Sequence, residues 1–440
     1  MIAEEKLSAI WRELGQKYVA AINSFVERGE TLGWEVAGEQ PRDDRESYAE
    51  AVLEFVRRAN ERREFTGLRD RFPPAHEPFL SKMKENEQFV GPVILLTDGR
   101  ILVRVGAPYE SGCVYLLNGD HVEEIPEVIS FGLSANRRYI AIAKPSGVEM
   151  REGWEGAAVA HFQWPTGNED LPGDCTGFGM PEVPPVTQLI PFSDGERVLL
   201  VSSYGIYVLR EDGASRLHPT IQTLREHEKW AREEAPDQLG KCRLSMEHGA
   251  VSAADQWIAV GDQCSSHLLY NNRLQLAGEV GHLSEYPHFA VFDAEGKHVA
   301  LNSCHFYNGA TIIVPTALLP GLRTAAYEPD SRFAQAQDND ARVYAAVYRQ
   351  GEFIVGDAYG YLRAYDVQGK FRWQHYVGGT ISGLDISPDG KRLAVSTYAG
   401  YLCVLCLDTG KRDPFAIGTS THQEIRRWLF WKKEAQPLIW

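Results

Sequence analysis

One short frame recurs along this chain, and it limits the possible folds more than any other feature: an apolar run, a turn, and a second apolar run. It is clearest near the C terminus. Ile354-Val355-Gly356-Asp357-Ala358-Tyr359-Gly360-Tyr361-Leu362 matches Ala394-Val395-Ser396-Thr397-Tyr398-Ala399-Gly400-Tyr401-Leu402, and each runs into Gly-Tyr-Leu at the start of another strand. A second turn precedes each, Gln350-Gly351-Glu352 and Pro388-Asp389-Gly390-Lys391. Asp-Gly between two apolar runs is a strong hairpin signal, because Gly accepts positive φ. The frame can be followed backwards through Glu295-Gly296-Lys297-His298-Val299 and Ser193-Asp194-Gly195-Glu196-Arg197-Val198 to Thr97-Asp98-Gly99-Arg100-Ile101. Two copies lack the glycine: Asp255-Gln256-Trp257-Ile258 and Ser134-Ala135-Asn136-Arg137-Arg138-Tyr139-Ile140.

The apolar residues after these turns are Ile101, Ile140, Val198, Ile258, Val299, Ile354 and Leu393. They stand about 40 to 60 residues apart, the repeat length of propeller blades. A single blade cannot bury both its faces, so the units must pack side by side around an axis. The expectation is a mainly β fold, a seven-bladed β-propeller, with an N-terminal α-helical segment and a short C-terminal helix. The parts are a helical leader over 1–90, a propeller over 91–418 and an amphipathic tail over 419–440. Three longer segments account for the irregular spacing: Thr166 to Val186, Thr220 to Gly240 and Thr316 to Ala341. The second holds a helical stretch stopped by Pro236. Long loops on a rigid scaffold are common binding elements, and also common neutral insertions.

The run Ser387-Pro388-Asp389-Gly390-Lys391-Arg392-Leu393-Ala394-Val395 resembles the repeat of WD40-like propellers, and the resemblance covers roughly Gly91 to Gly418. Trp-Asp and Gly-His pairs are not regularly present, which marks a divergent member. The first blade is complete from Pro92 to Ile125, and the last holds four strands of its own, ending near Phe415. No strand is therefore expected to be exchanged between the two ends.

In the leader, Leu7, Ile10, Trp11, Leu14, Tyr18, Ile22 and Phe25 recur at helical steps. A second helix is expected from about Ser47 to Glu64. These helices either cap the propeller as extra core or serve as a partner-binding arm. The tail, His422 to Lys433, is aromatic and basic. Docking on the propeller fits its charge: residues 91–420 carry 40 acidic and 27 basic side chains, and the tail from Thr421 carries 4 basic and 2 acidic ones.

The whole chain has 60 Asp and Glu against 45 Lys and Arg. A nucleic-acid surface needs clustered Lys and Arg, so direct nucleic-acid binding is not expected; a basic partner protein suits the balance. No apolar run approaches the roughly 18 residues needed to span a bilayer. The start has no basic and apolar leader, which makes the cytoplasm the default address. The seven cysteines read as reduced thiols. Cys403 and Cys406 form a CxxC on an alternating strand, where positions three apart face opposite sides.

No catalytic residue, metal or cofactor is expected. HExxH, GxSxG, GxxxxGK[ST] and a strand-to-helix GxGxxG are all missing. Glu247-His248, His282 with His288, and His298 with His305 are the nearest histidine groupings, without ligand spacing. The stretch Ala364 to Trp373 is similar to the quinoprotein propeller repeat, but it occurs once. A propeller enzyme with a central-funnel site, a dehydrogenase or a hydrolase, is the rival reading, and a general interaction scaffold is a third.

The turns after the second strand of each blade form the face that propellers use for binding. Several carry tyrosine: Tyr109, Tyr204, Tyr307, Tyr359 and Tyr398. Glu110, Asp262 and Asp357 lie at or near such turns. Tyrosine offers rigid contact area with a polar tip, and carboxylates nearby would steer a basic partner. The alternative is that these tyrosines pack between blades. In overall layout — helical leader, WD40-like ring, short Trp- and Lys-containing tail — the chain resembles bacterial immunity proteins of type VI secretion, of the TsiT type. That resemblance implies a protein that neutralises a cognate secreted toxin, there a nuclease-type effector, by stoichiometric binding.

Overall fold

A computed structural model describes residues 3–171, 173–176 and 179–440. The first insertion, Thr166 to Val186, is thus described except at 172, 177 and 178. Seven antiparallel sheets follow one another along the chain, and each is built from consecutive strands. Blade one runs from Val90–Leu95 to His121–Ile125, blade two from Ser130–Leu133 to Ala158–Phe162, and blade three from Gln188–Pro191 to Gly213–His218. Blade four runs from His248–Val251 to Leu276–Val280, blade five from Tyr286–Phe292 to Ala334–Gln335, and blade six from Val343–Arg349 to Phe371–Tyr376. Blade seven has five strands, Ile381–Ile386 through Leu438–Ile439. The fold is a mainly β, seven-bladed propeller.

All seven repeat positions fall in the second strand of a blade and are buried. These strands are sandwiched between neighbouring blades, so they read as continuous apolar runs, as in Val198–Ser202, and not as alternating ones. Adjacent blades approach closely: a Cβ on Gly132 of blade two would lie 1.4 Å from the Leu189 carbonyl oxygen of blade three.

The ring closes without strand exchange. Blade seven meets blade one through the Ser382 hydroxyl, which donates to the Val90 carbonyl, and through Asp385 Oδ2, which accepts from the Leu95 amide at 2.6 Å. A shared apolar layer, including Val93 and Val103 from one side and Ala394 and Leu402 from the other, fills the seam.

The C terminus departs from the expected helix. Residues Gln423–Leu429 are the fourth strand of blade seven, laddered onto Tyr401–Cys406 from Tyr401↔Leu429 to Cys406↔Gln423. The fourth strand therefore does not end near Phe415; it begins after it. Two facts decide this. The outer edge of Tyr401–Cys406 carries backbone groups that need partners. The tail can also bury Trp428 and Leu429 in the blade seam, with Arg427 neutralised by Glu424. Leu438–Ile439 then adds a short fifth strand.

The leader packs on this closing region. Helix Glu4–Leu32 buries Leu7, Trp11, Tyr18, Val19 and Ile22, and helix Ala49–Arg62 buries Val52, Leu53 and Val56. Leu7 and Trp11 of the first helix and the stripe of the second join one core with Phe72 and Phe79 of the leader and with Ile381, Leu393 and Trp440 of the last blade and tail, while Tyr18, Val19 and Ile22 pack around Ile417. Polar ties fix the end of the chain. The Trp440 indole donates to the Phe72 carbonyl at 2.7 Å, and Asn60 bonds both the amide and the carbonyl of Ile439 at 2.8 and 2.9 Å. The far end of the long helix stays uncovered, leaving Leu32, Trp34 and Val36 exposed.

Among the described residues, no helix is long and apolar enough to cross a membrane. All seven cysteines are free thiols. Cys403 is buried and its thiol is pushed up by burial, while Cys406 is partly open.

Candidate protein-binding face

In an up-and-down blade, the turn between strands two and three opens on the same side as the connection to the next blade. That side of the ring therefore collects seven short turns together with two insertions, 163–187 and 219–247. Helix Ile221–Glu233 lies in the latter, started by Thr220, whose hydroxyl accepts from the Thr223 amide at 3.1 Å. Most of the third insertion, 316–333, follows the third strand of blade five and lies on the opposite side.

The five tyrosines named from the sequence do not form one cluster. Tyr109 is 80% exposed and lines the mouth of the central channel together with Tyr398. Its turn is held rigid from below: the buried Arg104 guanidinium donates to the carbonyls of Gly106, Ile129 (2.8 Å) and Glu110 (3.0 Å). Tyr398 packs edge-on against Phe89 at 4.8 Å and against Tyr344 at 5.7 Å. Tyr307 and Tyr359 form a second pair, 5.9 Å apart, over blades five and six. Tyr204 is already occupied, because the Arg243 guanidinium from the insertion lies 3.7 Å from its ring centroid.

The carboxylates separate more sharply. Glu110 is exposed. Asp262 is buried, with His218 Nε2 at 3.0 Å. Asp357 is fully buried and builds the turn that carries Tyr359: it accepts from the Tyr359 and Tyr361 amides at 2.9 and 2.8 Å and from Arg363 Nε at 2.9 Å. Neither Asp262 nor Asp357 stands at the rim, so their charges are spent inside the fold and only Glu110 of the three is placed to steer a partner. The sequence could not tell these apart, since all three lie at similar points of the repeat.

Other residues on this face escaped the sequence reading. Phe306 is 71% exposed beside Tyr307 on the same turn, and the run His305-Phe306-Tyr307-Asn308 was the available signal. Arg342 links the two tyrosine groups: its guanidinium lies 4.7 Å over Tyr344 and donates to the Phe306 carbonyl at 2.5 Å. The result is an aromatic track from Tyr109 and Tyr398 at the channel mouth, through Tyr344 and Phe306, to Tyr307 and Tyr359.

The channel itself has a volume of 660 Å³ and is lined by inner strands of most blades. Its imidazoles are neutral at pH 7: burial lowers His248 to about 4, and burial with the Arg342 charge lowers His288 to about 3. Both are already engaged. His248 Nε2 lies 3.2 Å from His267 Nδ1, and His288 Nδ1 lies 2.6 Å from the Val343 carbonyl. Burial also pushes the Glu247 carboxyl up, against a hydrogen bond from Thr187. Among the described residues, no three His, Cys, Asp or Glu side chains are grouped to hold a metal ion.

No family model matches the chain, and no curated protein matches it. Among solved structures, the chain is similar to the β-propeller domain of Cps50 (Swd1) from Myceliophteria thermophila. The two share 12% identity over 70% of this chain and 92% of that one, with a TM-score of 0.45.

Proposed function

We infer that this chain is a binding protein whose aromatic face seats another protein, and that the partner is a cognate secreted toxin with a basic surface, held by stoichiometric occlusion. The observation that carries the reading is the track of exposed rings on one face of a rigid ring. Tyr109, Tyr398, Phe306, Tyr307 and Tyr359 are open to solvent although nothing in the repeat requires aromatic residues at turns. Large exposed rings on rigid turns are what interface hot spots are made of. The acidic balance of the propeller favours a basic partner, and an enzyme that cleaves nucleic acid must be basic where it meets phosphate. The layout of leader, ring and tail supports the immunity role by resemblance.

The test is affinity capture from the native cell with the chain as bait, in parallel with Tyr109→Ala and Tyr398→Ala baits. The expected result is one specific protein with a basic surface, weakened in both variants. Its toxic activity should fall to zero at a fixed molar ratio of the two proteins. Capture unaffected by either substitution would remove this face from the function. Captured protein whose activity persists with the chain in excess would remove the inhibitory role.

A further inference from the structure

Between the leader helix and blades five and six lies a cleft of 690 Å³. The leader supplies Phe25 and Trp34 as one wall, with ring centroids 5.8 Å apart. Gly29 makes room for this: a Cβ there would lie 2.2 Å from the Trp34 ring, which folds back onto the helix. Tyr359, Tyr361 and Tyr376 of blade six form the facing wall. Trp34 is 49% exposed and Tyr359 is 53% exposed, so the walls are open at the mouth.

Carboxylates complete the lining, namely Glu30, Glu77 and Asp340. The one cation among the lining residues is Arg363, whose guanidinium stacks 4.8 Å from the Tyr361 centroid. Its charge is met by Asp357 at 2.9 Å, and the Glu30 carboxylate lies 3.8 Å from it. The cleft is therefore left with a surplus of negative charge. Glu77 shows this most directly. It accepts one hydrogen bond, from the Tyr376 hydroxyl at 2.7 Å, and has no ion pair among the described residues. Burial pushes its carboxyl above the ordinary range. Aromatic faces beside carboxylates that outnumber the cations are complementary to a further cation.

We propose that this cleft receives an arginine side chain of the partner protein, stacked on Tyr359 and Trp34 and paired with Glu30 and Asp340. The proposal rests on the reading of the chain as a binder of a basic partner. A guanidinium is favoured over an ammonium because it is planar, weakly hydrated, and offers a fork of donors to two carboxylates at once. The Arg363–Tyr361 contact shows the same wall already accepting one guanidinium. Tyr359 belongs both to this cleft and to the aromatic track, so an arginine at the edge of a partner seated on the face would reach it.

The test needs no partner. The indole resonance of Trp34, identified by its loss in Trp34→Phe, is followed by NMR while acetyl-Gly-Arg-Gly-amide is added to the full chain. A saturable shift in the millimolar range is expected. The lysine peptide should bind about threefold or more weakly, because its ammonium is more strongly hydrated and lacks the fork. The citrulline peptide, which keeps the shape and loses the charge, should give no saturable shift. Tyr359→Ala and the double variant Glu30→Gln with Asp340→Asn should each weaken binding by roughly fivefold. All three positions are exposed, and circular dichroism checks that the variants are folded. No saturable shift with the arginine peptide, an equal shift with citrulline, or lysine binding as tightly as arginine would each overturn the proposal. If the peptide fails while Tyr109→Ala and Tyr398→Ala still weaken partner capture, the cleft assignment alone is wrong. If the peptide binds and capture ignores those tyrosines, the cleft stands and the face does not.

Discussion

Arg137 of blade two places both arms of its guanidinium on the Asp385 carboxylate of blade seven, at 2.7 and 2.9 Å, across the width of blade one. The same guanidinium donates to the Leu95 carbonyl at 2.5 Å, and Asp385 accepts from the Leu95 amide at 2.6 Å. Three blades are thus bound at the point where the ring closes. The position of Arg137 explains why it can do this. The turn before the second strand holds a residue at positive φ in all seven blades, three before the aligned apolar residue in six of them and two before it in blade one. Blades one, three, five, six and seven place Gly99, Gly195, Gly296, Gly351 and Gly390 there. Blades two and four place Arg137 (φ 59°) and Asp255 (φ 56°) there, and both side chains reach a neighbouring blade, at Leu95 and at Ser193.

Removing one partner of the closing pair should be costly. Asp385→Ala leaves a half-buried guanidinium and a buried amide unpaired, and about 3–5 kcal/mol of unfolding free energy should be lost. The double variant Arg137→Met with Asp385→Leu should lose much less, because no charge is stranded. Urea unfolding of the three proteins decides it. A loss below about 1 kcal/mol for Asp385→Ala would mean that the pair does not hold the ring.

Asp255 offers a separate test of strain against contact. Its carboxylate accepts from the Ser193 and Asp194 amides of blade three at 2.9 and 3.0 Å. Asp255→Ala loses these bonds and keeps the left-handed backbone, whereas Asp255→Gly loses the bonds and relieves the backbone. The glycine variant should therefore be the more stable of the two, by about 1 kcal/mol, despite having less to pack. Equal stabilities would show that the strain is negligible at this turn.

The C-terminal strand should be acid-sensitive through Glu424. Burial alone would raise its carboxyl, but the charges of Arg427 and Arg69 prevail and hold it at about 2, from an ordinary 4.5. Arg427 pairs with it at 2.7 Å and Arg69 of the leader at 3.0 Å. A carboxyl whose pKa is lowered in the fold contributes stability above its unfolded pKa. That stability is lost as pH falls from about 4.5 towards 2. The shift corresponds to roughly 3 kcal/mol at neutral pH. Glu424→Gln should show about that deficit at pH 7, and the deficit should shrink below pH 4.5. Urea midpoints from pH 7 to pH 3 measure it; a deficit constant across that range would mean that the carboxylate charge is not what holds the tail.

Partner binding should split cleanly between charge and rings. Tyr109→Ala and Tyr398→Ala should act on dissociation, with a loss of about 2 kcal/mol or more at a hot spot. Glu110→Gln should slow association, and the effect should fade with salt, since charge reaches only about 8 Å at physiological ionic strength. Asp357→Asn should alter affinity only through the Tyr359 turn, because its carboxylate is buried. Surface-based kinetics at two salt concentrations separate these effects. Salt-independent association would argue against steering by this face.

The recurrence of turn and apolar run was enough to determine the ring. A β-strand shielded by a blade on each side must be mostly apolar, a turn at positive φ must carry Gly, Asn or Asp or bear strain, and both requirements are written locally in each copy. The helical spacing of Leu7, Trp11, Tyr18 and Ile22 was legible for the same reason. Only the tertiary structure decided the rest. Gln423–Leu429 became a strand because the open edge of Tyr401–Cys406 lay beside it, and no local pattern records an unpaired edge elsewhere in the chain. Likewise Glu110, Asp262 and Asp357 occupy similar points of the repeat, yet one stands in solvent and two are locked to His218 and Arg363. Whether a carboxylate steers a partner or builds a turn depends on which cation the fold brings within reach, and that distance exists only once the blades have packed.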